Sequence, residues 1–287
     1  MIGIILGTAN LSNDYGLIRE KTDSVDFYKE LLNSAIGMGI SRFDTAIGYG
    51  KSEVTLGQTI GRETNIKVDT KINPINCSHQ EEILDQIRDS LKRLQIPQIE
   101  TLYIHDTNIF KTENIDLIRS ALLESKALGL VRNIGISIYD EDELHLALSN
   151  FQIVNSIQVP ENILDRRLIN NHKISELAEN GIEINVRSIF LQGLLTMNSE
   201  DLPNSFKKAY ESILSLEKYS RLNGISRVDI CMAYAKSIKW ASNIIIGTNS
   251  IQQLKQVIES KEKLTINWQE EIIKLPVELV DPRNWIQ

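Results

Sequence analysis

Ile66-Lys67-Val68-Asp69-Thr70-Lys71, then Gln80 through Leu94, then Thr101-Leu102-Tyr103-Ile104-His105 form the stretch from which the fold can be read. The outer runs are short, apolar and rich in β-branched side chains, the composition of a strand. The middle segment has a different period. Ile83, Leu84, Ile87, Leu91 and Leu94 fall on one helical face, and Ser78 with Glu81 has the spacing of a capping box. A helix between two such strands is the crossover that parallel strands require.

The same alternation runs outward in both directions. Strands are expected at Ile2–Leu6, Arg42–Asp44, Ile66–Lys71, Thr101–His105, Asn133–Ser137, Ile153–Val159, Ile182–Arg187 and Asn243–Ile246. Helices are expected near Val25–Met38, Glu53–Ile60, Gln80–Leu94, Ile115–Leu128, Asp142–Ser149, His172–Glu179, Phe206–Leu222, Arg227–Lys239 and Ile251–Ser260, with a short one around Gln269–Leu275. Gly37, Gly39, Gly61, Gly129, Gly181 and Gly224 punctuate the helix ends. Eight strand–helix repeats, with no linker or low-complexity tract, give an α/β (β/α)8 TIM barrel as a single domain over residues 1–287. The longest irregular span, Phe190 to about Asn204, follows the seventh strand, where a barrel places a loop over its active face.

Composition narrows the function. A net charge of -7 and the lack of a Lys/Arg run argue against a nucleic-acid or anionic-membrane partner. No run of about 18 apolar residues suggests a membrane span, and the start lacks the marks of a signal peptide, so a cytoplasmic location is expected. The 2 cysteines, Cys77 and Cys231, stand far apart and read as reduced thiols. His79, His145 and His172 have no partners at metal-ligand spacing, and no metal site is expected.

In a barrel the carboxyl ends of all strands face one mouth. There the second strand delivers Asp44 and, beyond it, Tyr49; the third delivers Lys71; the fourth delivers His105. Taken singly, Asp44 reads as a helix cap, Lys71 as solvated surface, Tyr49 as a rim residue and His105 as a structural histidine. Converging on one mouth, they hold the parts of a proton relay. A phenol with an ordinary pKa of about 10 needs a neighbouring cation to act near neutrality, and Lys71 can supply it. Asp44 can hold that ammonium charged and aimed, and a neutral His105 can orient a carbonyl by a hydrogen bond.

These residues carry a resemblance to the aldo-keto reductase family. The matching pieces are Leu6-Gly7-Thr8 with Tyr15-Gly16, Phe43-Asp44-Thr45-Ala46 through Tyr49-Gly50 with Ser52-Glu53, Thr70-Lys71, and Leu102 through His105. Gly135-Ile136-Ser137, Ile157-Gln158-Val159, Arg187-Ser188, Gly193-Leu194-Leu195 and Ile245-Ile246-Gly247-Thr248 continue it in order over nearly the whole chain. The resemblance implies a barrel that binds NADP(H) or NAD(H) and transfers a hydride to a small-molecule carbonyl. It makes Tyr49 the general acid, with Lys71 tuning it, Asp44 supporting Lys71 and His105 orienting the substrate.

It also implies that Ser137 and Gln158 bind the nicotinamide carboxamide, although Ile138 stands where many members have Asn. Arg187 occupies the place of an aromatic ring against the nicotinamide. Gly247, Thr248, Asn249 and Gln253 match the adenosine-phosphate loop, but Asn249 and Gln253 replace the basic residues common in members that prefer NADPH. The preference between NADP and NAD is therefore open. The family loop corresponding to Phe190–Leu195 helps cover the cofactor. Tyr15, Trp240 and Trp285 are candidates to line the pocket, and the short loops suggest an open, polar site for a small aldehyde, ketone or sugar. The chain is expected to start directly at its first barrel strand, without the amino-terminal hairpin many members of the family carry. Two other functions compete: a nicotinamide-binding regulatory subunit with negligible turnover, and a Schiff-base aldolase using Lys71.

Overall fold

A computed structural model describes residues 2–11, 25–60, 65–260 and 271–285. Tyr15, Gly16 and Gly61 lie outside these residues. Eight parallel strands close into one barrel: β1 (Gly3–Gly7), β2 (Arg42–Asp44), β3 (Lys67–Ile72), β4 (Ile99–Ile104), β5 (Val131–Ser137), β6 (Ser156–Pro160), β7 (Glu183–Arg187) and β8 (Asn243–Ile246). β8 returns to β1 in the register Ile4↔Ile244. Around the strands stand α1 (Val25–Gly37), α2 (Ser52–Ile60), α3 (Gln80–Leu94), α4 (Ile115–Ala127), α5 (Glu141–Asn150), α6 (His172–Glu179), α7 (Tyr210–Asn223), α8 (Arg227–Ser237) and α9 (Ile251–Ile258). The protein is thus a (β/α)8 TIM barrel, as the alternation predicts.

The differences are local. The cap of α3 lies one residue beyond the expected Ser78–Glu81 pair: the Glu82 carboxylate accepts from the Ser78 backbone N–H at 2.8 Å, whereas Glu81 turns outward to Arg88. The seventh helix begins at Tyr210, because Asn204–Ala209 is wound as a tighter 3-10 turn after Pro203. Of the helix expected around Gln269–Leu275, residues 269–270 are outside the described set and Ile272–Leu275 are non-helical.

Side chains alternate along a strand, so residues two apart share a face and stack inside the barrel. The lower interior layer is polar and hydrogen-bonded. Arg42 Nε donates to Asp69 at 2.8 Å, and its Nη2 donates to Glu183 at 2.8 Å and to Thr101 at 3.2 Å. Tyr103 Oη bonds Ser156 at 2.7 Å and accepts from Asn185 at 2.8 Å, and Asn185 accepts from Asn243 at 2.7 Å. Gly135 makes room for this layer: a Cβ there would lie 2.5 Å from the Tyr103 ring. Two residues onward along the same strands come Asp44, Lys71, His105, Ser137, Gln158 and Arg187. The site therefore rests on a floor whose polar groups are bonded to one another.

Candidate active site

A cavity of about 360 Å³ opens at the carboxyl ends of the strands, and the catalytic and cofactor-binding candidates line it: Asp44, Tyr49, Lys71, His105, Ser137, Gln158, Arg187, Gly247, Thr248, Asn249 and Gln253. Lys71 Nζ donates to Asp44 Oδ2 at 2.5 Å and to the Thr45 carbonyl at 2.9 Å. Both side chains of the pair are almost fully buried, with Lys71 2% and Asp44 4% exposed. The ammonium lies 5.2 Å from the centre of the Tyr49 ring. Tyr49 and His105 meet edge to face, with ring centres 5.9 Å apart.

Tyr49 sits on a turn, closed by its N–H donating to the Ala46 carbonyl at 3.0 Å, between β2 and α2. Three buried hydroxyls pin that turn: Ser52 Oγ donates to Thr8 Oγ1 at 2.6 Å and lies 3.0 Å from Thr45 Oγ1. The next residue, Glu53, is also buried; its carboxylate accepts from Thr70 at 2.6 Å on β3 and from Arg93 at 2.7 Å on α3. The Ser52-Glu53 pair thus fixes the start of α2 against both neighbours, and with it the position of the phenol.

The surroundings set the protonation of both rings. Tyr49 keeps some exposure to the cavity, yet the protein around it desolvates a phenolate; burial first, and then the Asp44 carboxylate, push its pKa above the ordinary tyrosine value, while Arg187 pulls it back. His105 is pushed down to about 4, chiefly by burial and then by the positive charges of Lys71 and Arg187. At neutral pH the imidazole is uncharged and the phenol holds its proton.

Gln158 Nε2 donates to Asp44 Oδ1 at 2.6 Å, which ties the amide to the ion pair. Its Oε1 is buried and has no hydrogen-bond partner among the described residues. An orphaned acceptor of this kind costs free energy unless a ligand N–H fills it. Ser137, the register partner of Gln158 on β5, presents a hydroxyl beside it. An acceptor and a hydroxyl side by side suit a primary carboxamide, so these residues fit a nicotinamide ring.

At the opposite end, Ser250 caps α9 by accepting from the Gln253 N–H at 3.2 Å. Asn10 Nδ2 donates to Asn249 Oδ1 at 2.7 Å, and Gln253 Oε1 accepts from the Asn249 N–H at 2.9 Å. The loop after β7 forms a third side. Ser188, Leu191 and Gln192 have positive φ, as does Gly193, so the backbone turns sharply over the cavity while Leu191, Leu194 and Leu195 anchor it in the core.

Some cavity residues were not singled out from the sequence. Asn10 follows β1, where the barrel argument directs attention, and could have been found. Tyr139 is contacted by two guanidinium groups, Arg187 at 4.1 Å and Arg283 at 3.6 Å, and Pro282 reaches the cavity from the C-terminal segment. No periodic pattern marks that tail as part of the mouth. Two proposed aromatics are placed elsewhere. Trp240 is buried and donates to the Ile169 carbonyl at 3.2 Å, and Trp285 packs edge-on against Phe206 and donates to Leu279. Cys77 does not line the cavity either; it is buried, and burial raises its thiol pKa. Among the described residues, no helix is long and apolar enough to cross a membrane.

A closed parallel barrel with a lysine–carboxylate pair, a phenol and an imidazole at its mouth belongs to a recognisable class of oxidoreductase site. The family model for the aldo/keto reductase family matches residues 3–272, and the chain belongs to that family. Family membership places it among oxidoreductases of carbonyl compounds. It is 21% identical to the D-arabinose 1-dehydrogenase of Saccharomyces cerevisiae over 92% of this chain and 84% of that protein. It is 22% identical to the L-glyceraldehyde 3-phosphate reductase of Escherichia coli, over 86% of this chain and 82% of that one. Among solved structures, the aldo-keto reductase AKR11C1 of Bacillus halodurans superposes with a TM-score of 0.72 at 21% identity, covering 94% of this chain and 89% of that chain. The glycerol dehydrogenase AKR11B4 of Gluconobacter oxydans gives 0.71 at 22% identity, covering 93% and 89%.

Proposed function

We propose that the protein reduces the carbonyl group of a small polar aldehyde, ketone or sugar with NADPH or NADH, with Tyr49 as the general acid. The observation that carries this reading is the Tyr49–His105 pair, whose rings meet at 5.9 Å beside the buried Lys71–Asp44 ion pair. When bound, the dinucleotide supplies the hydride. Ser137 and Gln158 would hold its carboxamide, Arg187 would stand by the ring, and Gly247, Thr248, Asn249 and Gln253 would hold the adenosine-phosphate end.

The remaining chemistry belongs to the chain. His105, kept neutral by its surroundings, donates a hydrogen bond to the substrate oxygen and aims the carbonyl. Tyr49 holds its proton until charge develops on that oxygen, then transfers it. The Lys71 ammonium stabilises the phenolate left behind, and Asp44, which accepts its hydrogen bond, fixes its direction. The sugar and sugar-phosphate names of two relatives support a small hydroxylated carbonyl as substrate. Tyr49→Phe removes the proton and preserves the ring. Turnover should fall by a factor on the order of 10²–10⁴, with dinucleotide affinity held within about twofold. Full turnover in that variant refutes the mechanism.

A further inference from the structure

The charged side chains lining the cavity, among the described residues, are Asp44, Lys71 and Arg187. Asp44 and Lys71 neutralise each other at 2.5 Å. Arg187 has no carboxylate within ion-pair distance among the described residues. Its guanidinium donates to the Ile138 carbonyl at 3.0 Å and the Ser188 hydroxyl at 3.2 Å, and it lies on the Tyr139 ring. None of these partners carries a charge at neutral pH. The other guanidinium on Tyr139, Arg283, is bonded to both Asp281 and Glu143. The carboxylate of Asp281 accepts from it at both oxygens, Oδ1 from Nε at 3.1 Å and Oδ2 from Nη2 at 2.6 Å. Asp281 lies near enough for Arg187 to lower its pKa, but neither Asp281 nor Glu143 lines the cavity, so the charge that this wall turns toward the site is the Arg187 guanidinium. Its field extends across the site, since it lowers the pKa of both Tyr49 and His105.

We propose that Arg187 makes the site discriminate between the two redox forms of its dinucleotide, binding the neutral reduced nicotinamide in preference to the cationic oxidised ring. The inference rests on the dinucleotide reading above. The two forms share their phosphates, riboses and adenine, so every attraction to those parts cancels in the ratio of affinities. They differ by one positive charge on the nicotinamide ring, and only groups near that ring sense it. The carboxamide partners place the ring at Ser137 and Gln158, and Ile138, whose carbonyl holds Arg187, directly follows Ser137. A like charge in a partly desolvated cavity weakens binding on the order of tenfold or more. The site then loads the reduced form from a mixed pool and releases the oxidised form readily, which sets the enzyme to work as a reductase.

Calorimetric titration of the purified protein with NADH, NAD+, NADPH and NADP+ tests this without recourse to turnover. The wild type should bind the oxidised partner of whichever dinucleotide it accepts about tenfold more weakly than the reduced one. Arg187→Gln should remove most of that difference, mainly by tightening the oxidised form, and Arg187→Lys should keep it. An unchanged ratio in Arg187→Gln, including uniform weakening of both forms, overturns the proposal. So does a wild type that binds the two forms equally, a result that leaves the dinucleotide reading intact. Failure of all four to bind overturns both. If Arg187→Gln does not fold, the wild-type ratio and the lysine variant still decide the matter.

Discussion

Replacing Lys71 with Met removes the cation from a pair whose members are 2% and 4% exposed and 2.5 Å apart. Asp44 is left with the Gln158 amide at 2.6 Å as its remaining side-chain donor. Breaking one half of a buried ion pair costs about 3–5 kcal/mol, because the surviving charge has lost both its counterion and its water. The structure also sets a ceiling. The stranded carboxyl can escape by taking up a proton, which for an aspartate of ordinary acidity costs about 4 kcal/mol at pH 7 and about 1.5 kcal/mol at pH 5. Lys71→Met should therefore lose about 3–4 kcal/mol at pH 7, or roughly 6–12 °C in Tm for a chain of this size. The loss should shrink to about half of that or less at pH 5. Adding Asp44→Asn should restore stability to within about 1 kcal/mol of wild type, and turnover should be lost in both variants. Urea unfolding followed by circular dichroism at both pH values completes the cycle. A loss below about 1 kcal/mol at pH 7, a loss independent of pH, or a second substitution that adds to the first would refute the argument.

Asn249 and Gln253 provide no cation for a 2′-phosphate, so NADPH should bind no more tightly than NADH, and Asn249→Arg should raise NADPH affinity selectively by about tenfold in a fluorescence titration. Gly135→Ala places a methyl group 2.5 Å from the Tyr103 ring, and the forced shift of the floor should cost about 1–3 kcal/mol in chemical denaturation; a neutral outcome would show that the floor is compliant. Glu161 is buried and accepts from Tyr234 at 2.5 Å; its pKa is raised to about 8, chiefly by burial. The folded state therefore binds the proton more tightly than the unfolded chain, and this contribution to stability, present near pH 4, is lost as pH rises to about 8. Glu161→Gln lacks that loss, so its stability relative to wild type should climb steadily over the same window; a constant difference between the two would contradict the assignment.

The strands were legible because short apolar runs alternate with longer segments of helical period. The Asp44, Lys71 and His105 side chains needed only the rule that strand ends share a mouth. Errors arose where several local signals overlapped. The cap expected at Ser78 and Glu81 is made one residue on, where the Glu82 carboxylate accepts from the Ser78 and His79 N–H groups. Ile153 and Val154 extend the apolar run before β6, yet ladder pairing to β5 begins only at Ser156. Trp240 and Trp285, candidates for the pocket, are held elsewhere, by the Ile169 carbonyl and the Phe206 ring. Tyr139 and Pro282 were missed because segments remote in sequence bring them together: the Arg283 guanidinium lies 3.6 Å from the Tyr139 ring, and Asp281 and Glu143 hold it there.

The two interior layers have a consequence for assembly of the barrel. A strand that slipped by two residues would keep every apolar side chain on its proper face, so hydrophobic burial alone would not detect the error. The polar pattern would. Slipping β3 toward the mouth would bring Asp69 into the place of Lys71, beside Asp44, and leave Arg42 facing Lys67 instead of Asp69. Two like-charge pairs would then replace two ion pairs. The alternation of charge along Arg42-x-Asp44 and Asp69-x-Lys71 thus acts as a key that only one alignment of the strands can turn.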